Sequence, residues 1–420
     1  MTAQSISPVE RKGQTLLGKM PVWIKRIFLF IGYTLIVVLT LAVAGCFLPA
    51  LPVLGSLGPI LISAFGSWII ILSLAASTFY FLRWRRLRAA VPVFMSMLAA
   101  IAAIGTVIVE AQQIAAARAH GVNIDLARTL WLGSVSHASA LPVSVQYASD
   151  RGRPLKLAIY QPPAGPGKSR APVLVYVHGG GWGGGTQHDK QPDMRWYADH
   201  GYLVISVQYT LSSQGRPTWD VAEPQVGCAL NWVTANASRL GGDTGHLALL
   251  GESAGGNLVL NVAYRITAGS LRPSCPGQLP RIRAVVAPYP VLDAVRMYNN
   301  PDPVAGPFGR QMTVRYTGGT PARYPNRYAE VSSGTHIGDR TPPTLILPGL
   351  ADHLLPAPIA FDFVARARAA GGDIEMIAYP FGEHSFDQMS GSIGNQFVRQ
   401  ATLKFLRRNG VSADPEPIAH

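Results

Sequence analysis

From Ile27 to Leu82 the chain carries no Asp, Glu, Lys, Arg or His, an uninterrupted run of 56 residues. A soluble helix needs a solvated polar face, and nothing here supplies one. Crossing a bilayer takes ~20 mostly apolar residues. Ile27–Phe47 meets that need once and Pro59–Leu82 a second time. Between them Pro49, Pro52, Gly55, Gly58 and Pro59 are expected to break the helix and form a turn. Ala89–Val109 is a third uncharged run, with Pro92 in its first turn, where a missing N–H is tolerated. A cleaved signal peptide, or a lipoprotein processing box at Val43–Ala44–Gly45–Cys46, competes for the first run. The two spans that follow disfavour both, and Cys46 then reads as a small apolar residue in a helix.

The net charge of +13 suggests a nucleic-acid partner until its positions are read. Residues 1–88 hold nine Lys/Arg against Glu10 alone, a net +8, and the other 332 residues carry only +5. Basic residues that flank apolar runs set membrane topology rather than line a phosphate groove. The basic stretch before Ile27 and the loop Arg83–Arg88 are therefore expected in the cytoplasm, and everything after Glu110 on the far side. Trp23, Trp68 and Trp84 suit interface positions, Trp68 equally suiting helix packing. The expected organisation is a cytoplasmic N-terminus at 1–26, a three-span anchor at 27–112 and a helical linker or cap at 113–142. An α/β domain at 143–410 and a tail at 411–420 follow.

Within 143–410, short apolar runs alternate with helical stretches. Val143–Tyr147 and Leu155–Gln161 alternate in polarity, as half-exposed edge strands do. Val173–Val177, Leu203–Val207, Leu247–Leu250, Ile282–Val286 and Thr344–Leu347 are apolar throughout, as strands buried on both faces are. Ile374–Ala378 adds one more strand. Helical stretches near 190–200, 220–239, 254–268, 356–370 and 391–408 fall between or after them. Such alternation predicts a doubly wound, mostly parallel sheet. Cys228 and Cys275 either pair, the preferred alternative in an oxidising compartment, or stay as buried thiols. No Cys-x-x-C pair exists, so a zinc or redox site is not expected.

Gly251–Glu252–Ser253–Ala254–Gly255 follows one apolar strand directly and opens an apolar helix. A serine on such a turn is exposed and strained, and the flanking glycines avoid side-chain collisions with nearby backbone. His178–Gly179–Gly180–Gly181–Trp182 follows another strand. Glycines there let backbone N–H groups approach a carbonyl oxygen that gains charge during acyl transfer. Gly180, Gly181 and Ala254 are the candidate donors. No Lys–Ser/Thr pair follows the glycines, which rejects a phosphate loop. His178 reads as a residue tying the loop down.

Serine needs a base, and the base needs an orienting acid. Asp352 lies just after the strand at Thr344–Leu347, and His384 just after the last strand. These give the chain order Ser, Asp, His. Asp293, His336 and His353 are weaker rivals by position. Glu252 reads as a partly buried structural carboxylate. Trp182 reads as pocket lining or core. Residues 289–341, rich in Pro, Tyr, Arg and Gly, are expected to form a lid or pocket wall.

On these residues, with Val207–Leu211 and Gly242–Asp243, the segment 145–410 resembles the hormone-sensitive-lipase-like esterases of the α/β-hydrolase superfamily. It is also similar to neighbouring acetyl-esterase and kynurenine-formamidase-like enzymes. The resemblance implies hydrolysis of short to medium acyl esters by Ser253, Asp352 and His384, with no cofactor and no metal. Glu252 stands where many relatives have Asp, and three spans stand where soluble relatives have cap helices. The expectation is a membrane-tethered serine esterase acting on small-molecule esters outside the cytoplasm, with no nucleic-acid partner. An amidase, a formamidase or an acyltransferase using the same three residues is the alternative, and an inactive binding protein a distant one.

Overall fold

The computed structural model describes residues 21–131, 141–163 and 170–412. Most of the expected 1–26 segment, residues 132–140 of the expected linker and residues 413–420 of the tail lie outside them. Three long helices come first: α1 (Val22–Phe47), α2 (Leu54–Leu87) and α3 (Ala90–Ala119). They pack together through small residues, as apolar helices do when side-chain shape rather than water drives association. Ser77 and Ser96 exchange hydroxyl-to-carbonyl hydrogen bonds of 3.0 and 2.9 Å between α2 and α3. The Thr40 hydroxyl of α1 donates to the Leu98 carbonyl of α3 at 3.2 Å. Large apolar side chains face outward: Phe30 is 72% exposed, Leu72 57% and Ile104 60%.

Two expectations about this region are corrected. The break after α1 covers only 48–53, and α2 resumes at Leu54, with Gly55, Gly58 and Pro59 inside it. These glycines serve close approach rather than a turn: a Cβ on Gly58 would lie 2.0 Å from the Ala42 carbonyl oxygen. The helix does kink, but at Phe65 (φ −135°, ψ 15°), between 54–64 and 66–87. Second, α3 does not stop near Glu110. It continues to Ala119, so 113–119 is the end of a long helix rather than a linker. A short helix, α4 (Leu126–Leu130), follows.

The rest of the chain builds one eight-stranded sheet. In chain order its elements are β1 (Val143–Asp150), β2 (Arg153–Tyr160), β3 (Ala171–Val177), α5 (Gln191–Asp199), β4 (Leu203–Val207), α6 (Ala222–Asn236), β5 (Gly242–Gly251), α7 (Ala254–Thr267) and β6 (Ala284–Pro288). Then come α8 (Ala294–Tyr298), α9 (Ala305–Thr317), α10 (Pro325–Val331), β7 (Thr344–Leu347), α11 (Ala357–Ala369), β8 (Ile374–Met376) and α12 (Ile393–Arg408). The strand order is β1-β2-β4-β3-β5-β6-β7-β8. Only β1 with β2 and β2 with β4 pair antiparallel. The apolar runs of the central strands follow from burial on both faces. Val173, Val175 and Val177 join a core with α6, α7 and α11, whereas Leu174 and Tyr176 join one with α5 and α12. Ala117, near the end of α3, is buried in that second core, so the long helix is built into the α/β domain.

Strand order reverses at β3, with β4 on one side and β5 on the other. Open α/β sheets place their functional crevice at the carboxyl ends of strands flanking such a switch. The loop after β3 and the turn after β5 meet there. Cys228 of α6 and Cys275 form a disulfide across 47 residues of sequence. The 289–341 segment is not irregular: α8, α9 and α10 all fall within it.

Candidate active site

Strand β5 ends at Gly251 and helix α7 starts at Ala254, so two residues must reverse the chain. Ser253 takes the strain, with φ 52° and ψ −119°, a region L residues rarely occupy. The turn is held by the Ser253 amide donating to the Pro288 carbonyl at 3.1 Å, and by the Ser253 carbonyl accepting from Asn257 and Val291. The glycine requirement is steric. A Cβ on Gly255 would sit 2.1 Å from the Val177 carbonyl oxygen and 2.5 Å from that of His178. The end of β3 is backbone and cannot yield, so Gly255→Ala is expected to cost roughly 3 kcal/mol or more of stability. A thermal melt of the purified protein should fall by several degrees, and an unchanged melt would contradict this packing.

The structure brings the three sequence-chosen side chains together. Ser253 Oγ lies 2.9 Å from His384 Nε2, and His384 Nδ1 lies 2.9 Å from Asp352 Oδ2. The other Asp352 oxygen accepts from the amides of Leu354 (2.9 Å) and Leu355 (2.7 Å), which fixes the carboxylate on its loop. Asp352 is almost fully buried and His384 keeps 17% side-chain exposure. Burial opposes the imidazolium of His384. The charge and hydrogen bond of Asp352 outweigh it, aided by Glu383 and Glu252, and its pKa ends above the ordinary 6.5.

The glycine loop after β3 flanks the serine: a Cβ on Gly179 would lie 3.4 Å from the Ser253 Cβ. Every carbonyl from His178 to Trp182 is already engaged. The Tyr209 hydroxyl donates to His178 and Gly179, the amides of Gly183 and Gly184 to Gly180, Arg315 to Gly181, and the Ser212 amide to Trp182. The amides of Gly180, Gly181 and Ala254 donate to no acceptor among the described residues. With the carbonyls tied outward, these three N–H groups are available to an oxyanion. His178 is buried, hydrogen-bonded at Nδ1 to the Gly179 carbonyl (2.9 Å) and stacked on Tyr209. Its burial lowers its pKa, and it acts as a loop tie. Trp182 is core, fully buried and stacked flat on Tyr316 at 4.3 Å.

Helix α9 reaches the glycine loop through Met312. Met312 lies so close to Gly181 that a Cβ there would sit 2.6 Å from its sulfur. The rival residues go elsewhere: Asp293 caps α8 through the Arg296 amide, and His336 meets the Glu330 carbonyl. Glu252 is the structural carboxylate expected from the sequence, and its partners lie far away in the chain. Glu252 accepts from Tyr176 (3.1 Å) and Tyr289 (2.9 Å), and Lys190 lies 3.4 Å from Glu252 and 3.0 Å from Asp387. Burial raises the Glu252 pKa against the pull of Lys190. For Lys190 burial works downward, but Asp387 and Glu252 overcome it and keep the ammonium charged. No local motif marks Lys190 or Asp387, which reach this cluster from distant loops. No group of three potential metal-ligating side chains occurs among the described residues.

Sheet order, elbow and glycine loop together define an α/β-hydrolase fold, and the solved structures named below share it. Residues 157–365 match the model of the BD-FAE family. The chain is 31% identical over 259 residues to the probable carboxylic ester hydrolase LipM of Mycobacterium tuberculosis, covering 61% of this chain and 58% of that one. It is 28% identical over 261 residues to the esterase LipQ of the same organism, covering 61% and 59%. The chain thus spans a little under three-fifths of the length of these relatives. Native esterase 2 of the planctomycete Thermogutta terrifontis superposes with a TM-score of 0.55 at 22% identity, covering 69% of this chain and 99% of that one. Its phosphonylated form, made with sarin, gives 0.56, also at 22% identity, covering 67% and 100%.

Proposed function

We propose that this protein is a serine hydrolase that cleaves carboxylic esters of short to medium acyl length through an acyl-enzyme. The observation that carries this reading is the 2.9 Å contact of Ser253 Oγ with His384 Nε2, beside three uncommitted amides. Ser253 attacks the ester carbonyl as His384 takes its proton. Asp352 holds the tautomer with hydrogen on Nδ1 and stabilises the imidazolium that forms. The N–H groups of Gly180, Gly181 and Ala254 receive the oxyanion. His384 then returns its proton to the leaving alcohol, and in the second half activates water against the acyl-serine. The esterase names of the sequence relatives support the ester as substrate. Full-length protein in detergent is expected to hydrolyse p-nitrophenyl acetate and butyrate faster than longer esters. Faster turnover of matched anilides or formamides, or transfer to an added alcohol outpacing hydrolysis, would replace this reading with an amidase or acyltransferase.

The same proposal tethers the enzyme to a membrane. Three helices long and apolar enough to cross it, with their largest side chains turned outward, support this. The basic loop 83–88 would remain in the cytoplasm. The opposite end of the bundle, where α3 enters the α/β domain, would then face outside, where a disulfide such as Cys228–Cys275 persists. A phosphatase reporter active only outside the cytoplasm, fused after residue 112, should be active. An inactive phosphatase, with activity from a cytoplasmic reporter at the same point, would reverse the orientation.

A further inference from the structure

His353 neighbours the triad acid but belongs to a second constellation. Its Nδ1 lies 2.5 Å from Glu383 Oε2, and its Nε2 lies 3.1 Å from the Pro49 carbonyl oxygen, in the turn between α1 and α2. Both partners are acceptors. An imidazole with an acceptor at each nitrogen must carry both protons, so His353 sits here as a cation. The other Glu383 oxygen accepts from the His353 amide at 2.8 Å and the His384 amide at 3.0 Å. One buried carboxylate therefore clips the loop bearing Asp352 to the loop bearing His384, and His353 braces that carboxylate against the helical hairpin. The same loop is fastened nearby. Phe381 meets the Phe47 ring at 5.7 Å, and the Gln113 amide of α3 donates to the Pro380 carbonyl at 3.2 Å.

We propose that His353 and Glu383 are positioning residues that, braced on the α1–α2 turn, set the alignment of the Asp352–His384 pair, making the helical anchor a working part of the active site. The inference rests on the hydrolase reading above. A misplacement of ~1 Å at a catalytic pair costs on the order of 10²-fold in rate, so a brace on both loops acts on kcat and leaves substrate binding little changed. Charged groups around His353 favour its cation. Glu383 faces it from the loop after β8 and Asp302 from the turn before α9, and the hairpin contributes the Pro49 carbonyl. The hydrogen bond to Glu383 raises the His353 pKa to about 9 against burial. The raised value fixes the sign. The contribution is fully present below the unfolded value near 6.5 and is lost as pH rises through about 9.

The test uses full-length protein in detergent. His353→Ala and Glu383→Gln should each lower kcat by about 10- to 100-fold with KM within about twofold, and the double variant should be little worse than either single one. In the wild type, kcat should fall along an alkaline limb near pH 9. His353→Arg, which keeps the charge and several donors without titrating, should recover at least a third of wild-type kcat and abolish that limb. The proposal is overturned if His353→Ala retains wild-type kcat, or if the limb persists in His353→Arg, even should the alanine variant fail to fold. A wild type that no fluorophosphonate labels would instead defeat the hydrolase reading. Normal labelling with His353 variants indistinguishable from wild type would defeat this inference alone.

Discussion

Ser253→Ala is expected to lower kcat for p-nitrophenyl butyrate by about 10⁶-fold, to the level that amide donors and binding alone sustain. The magnitude follows from what is removed: the hydroxyl that lies 2.9 Å from His384 Nε2 and forms the acyl bond. The fold should not change. The elbow is held by the Ser253 amide and carbonyl, not by its hydroxyl. Circular dichroism and the thermal midpoint of the variant should match the wild type. Residual activity within 100-fold of wild type, with the fold intact, would mean that another group is the nucleophile.

The second large effect is expected at Asp352. Asn is nearly isosteric, and its oxygen can still accept from the amides of Leu354 and Leu355. The group facing His384 Nδ1 would then be an NH₂ donor. A donor there forces the imidazole proton onto Nε2, the nitrogen that must accept the Ser253 proton, and such tautomer reversal costs about 10⁴-fold in kcat. The pH profile adds a second readout. His384 must be neutral to act as base, so activity rises with pH through its pKa, which Asp352 holds above 6.5 against burial. Removing that carboxylate charge lets burial prevail, and the acid limb should move to lower pH. A variant with full activity and an unmoved limb would remove Asp352 from the mechanism.

Much of this arrangement is legible in the sequence because the features that set it are local. A 56-residue absence of charge leaves few places for a helix except against other helices or in lipid. The Ser253 turn and the 178–182 loop announce themselves because only glycine fits where a backbone oxygen would lie 2.1 Å from a Cβ at Gly255 and 2.4 Å from one at Gly180. Asp352 and His384 are legible from their places after β7 and β8, parallel neighbours whose carboxyl ends lie side by side. What was missed is what depends on long-range packing. Gly55, Gly58 and Pro59 look like breakers, yet Gly58 admits α1 and Gly55 admits the Pro49 carbonyl of the turn. The 113–119 segment reads ambiguously because alanine, glutamine and arginine suit a surface helix and a linker alike, and burial of Ala117 decides between them. Lys190, Asp387 and Tyr289 converge from three separate loops with no shared spacing. His353 reads from the sequence as a loop histidine beside the acid. Its partners, Glu383 and Pro49, are 30 and 304 residues away, beyond the reach of any local pattern.

Catalysis as proposed requires the Ser253 hydroxyl to be an activated nucleophile, and covalent capture tests that most directly. Purified full-length protein would be treated with a fluorophosphonate and digested for mass mapping. One adduct per chain is predicted, on the peptide holding Ser253, absent from Ser253→Ala and strongly slowed in His384→Ala. No adduct on the folded wild type, or an adduct on a different residue that persists in Ser253→Ala, would contradict the central claim.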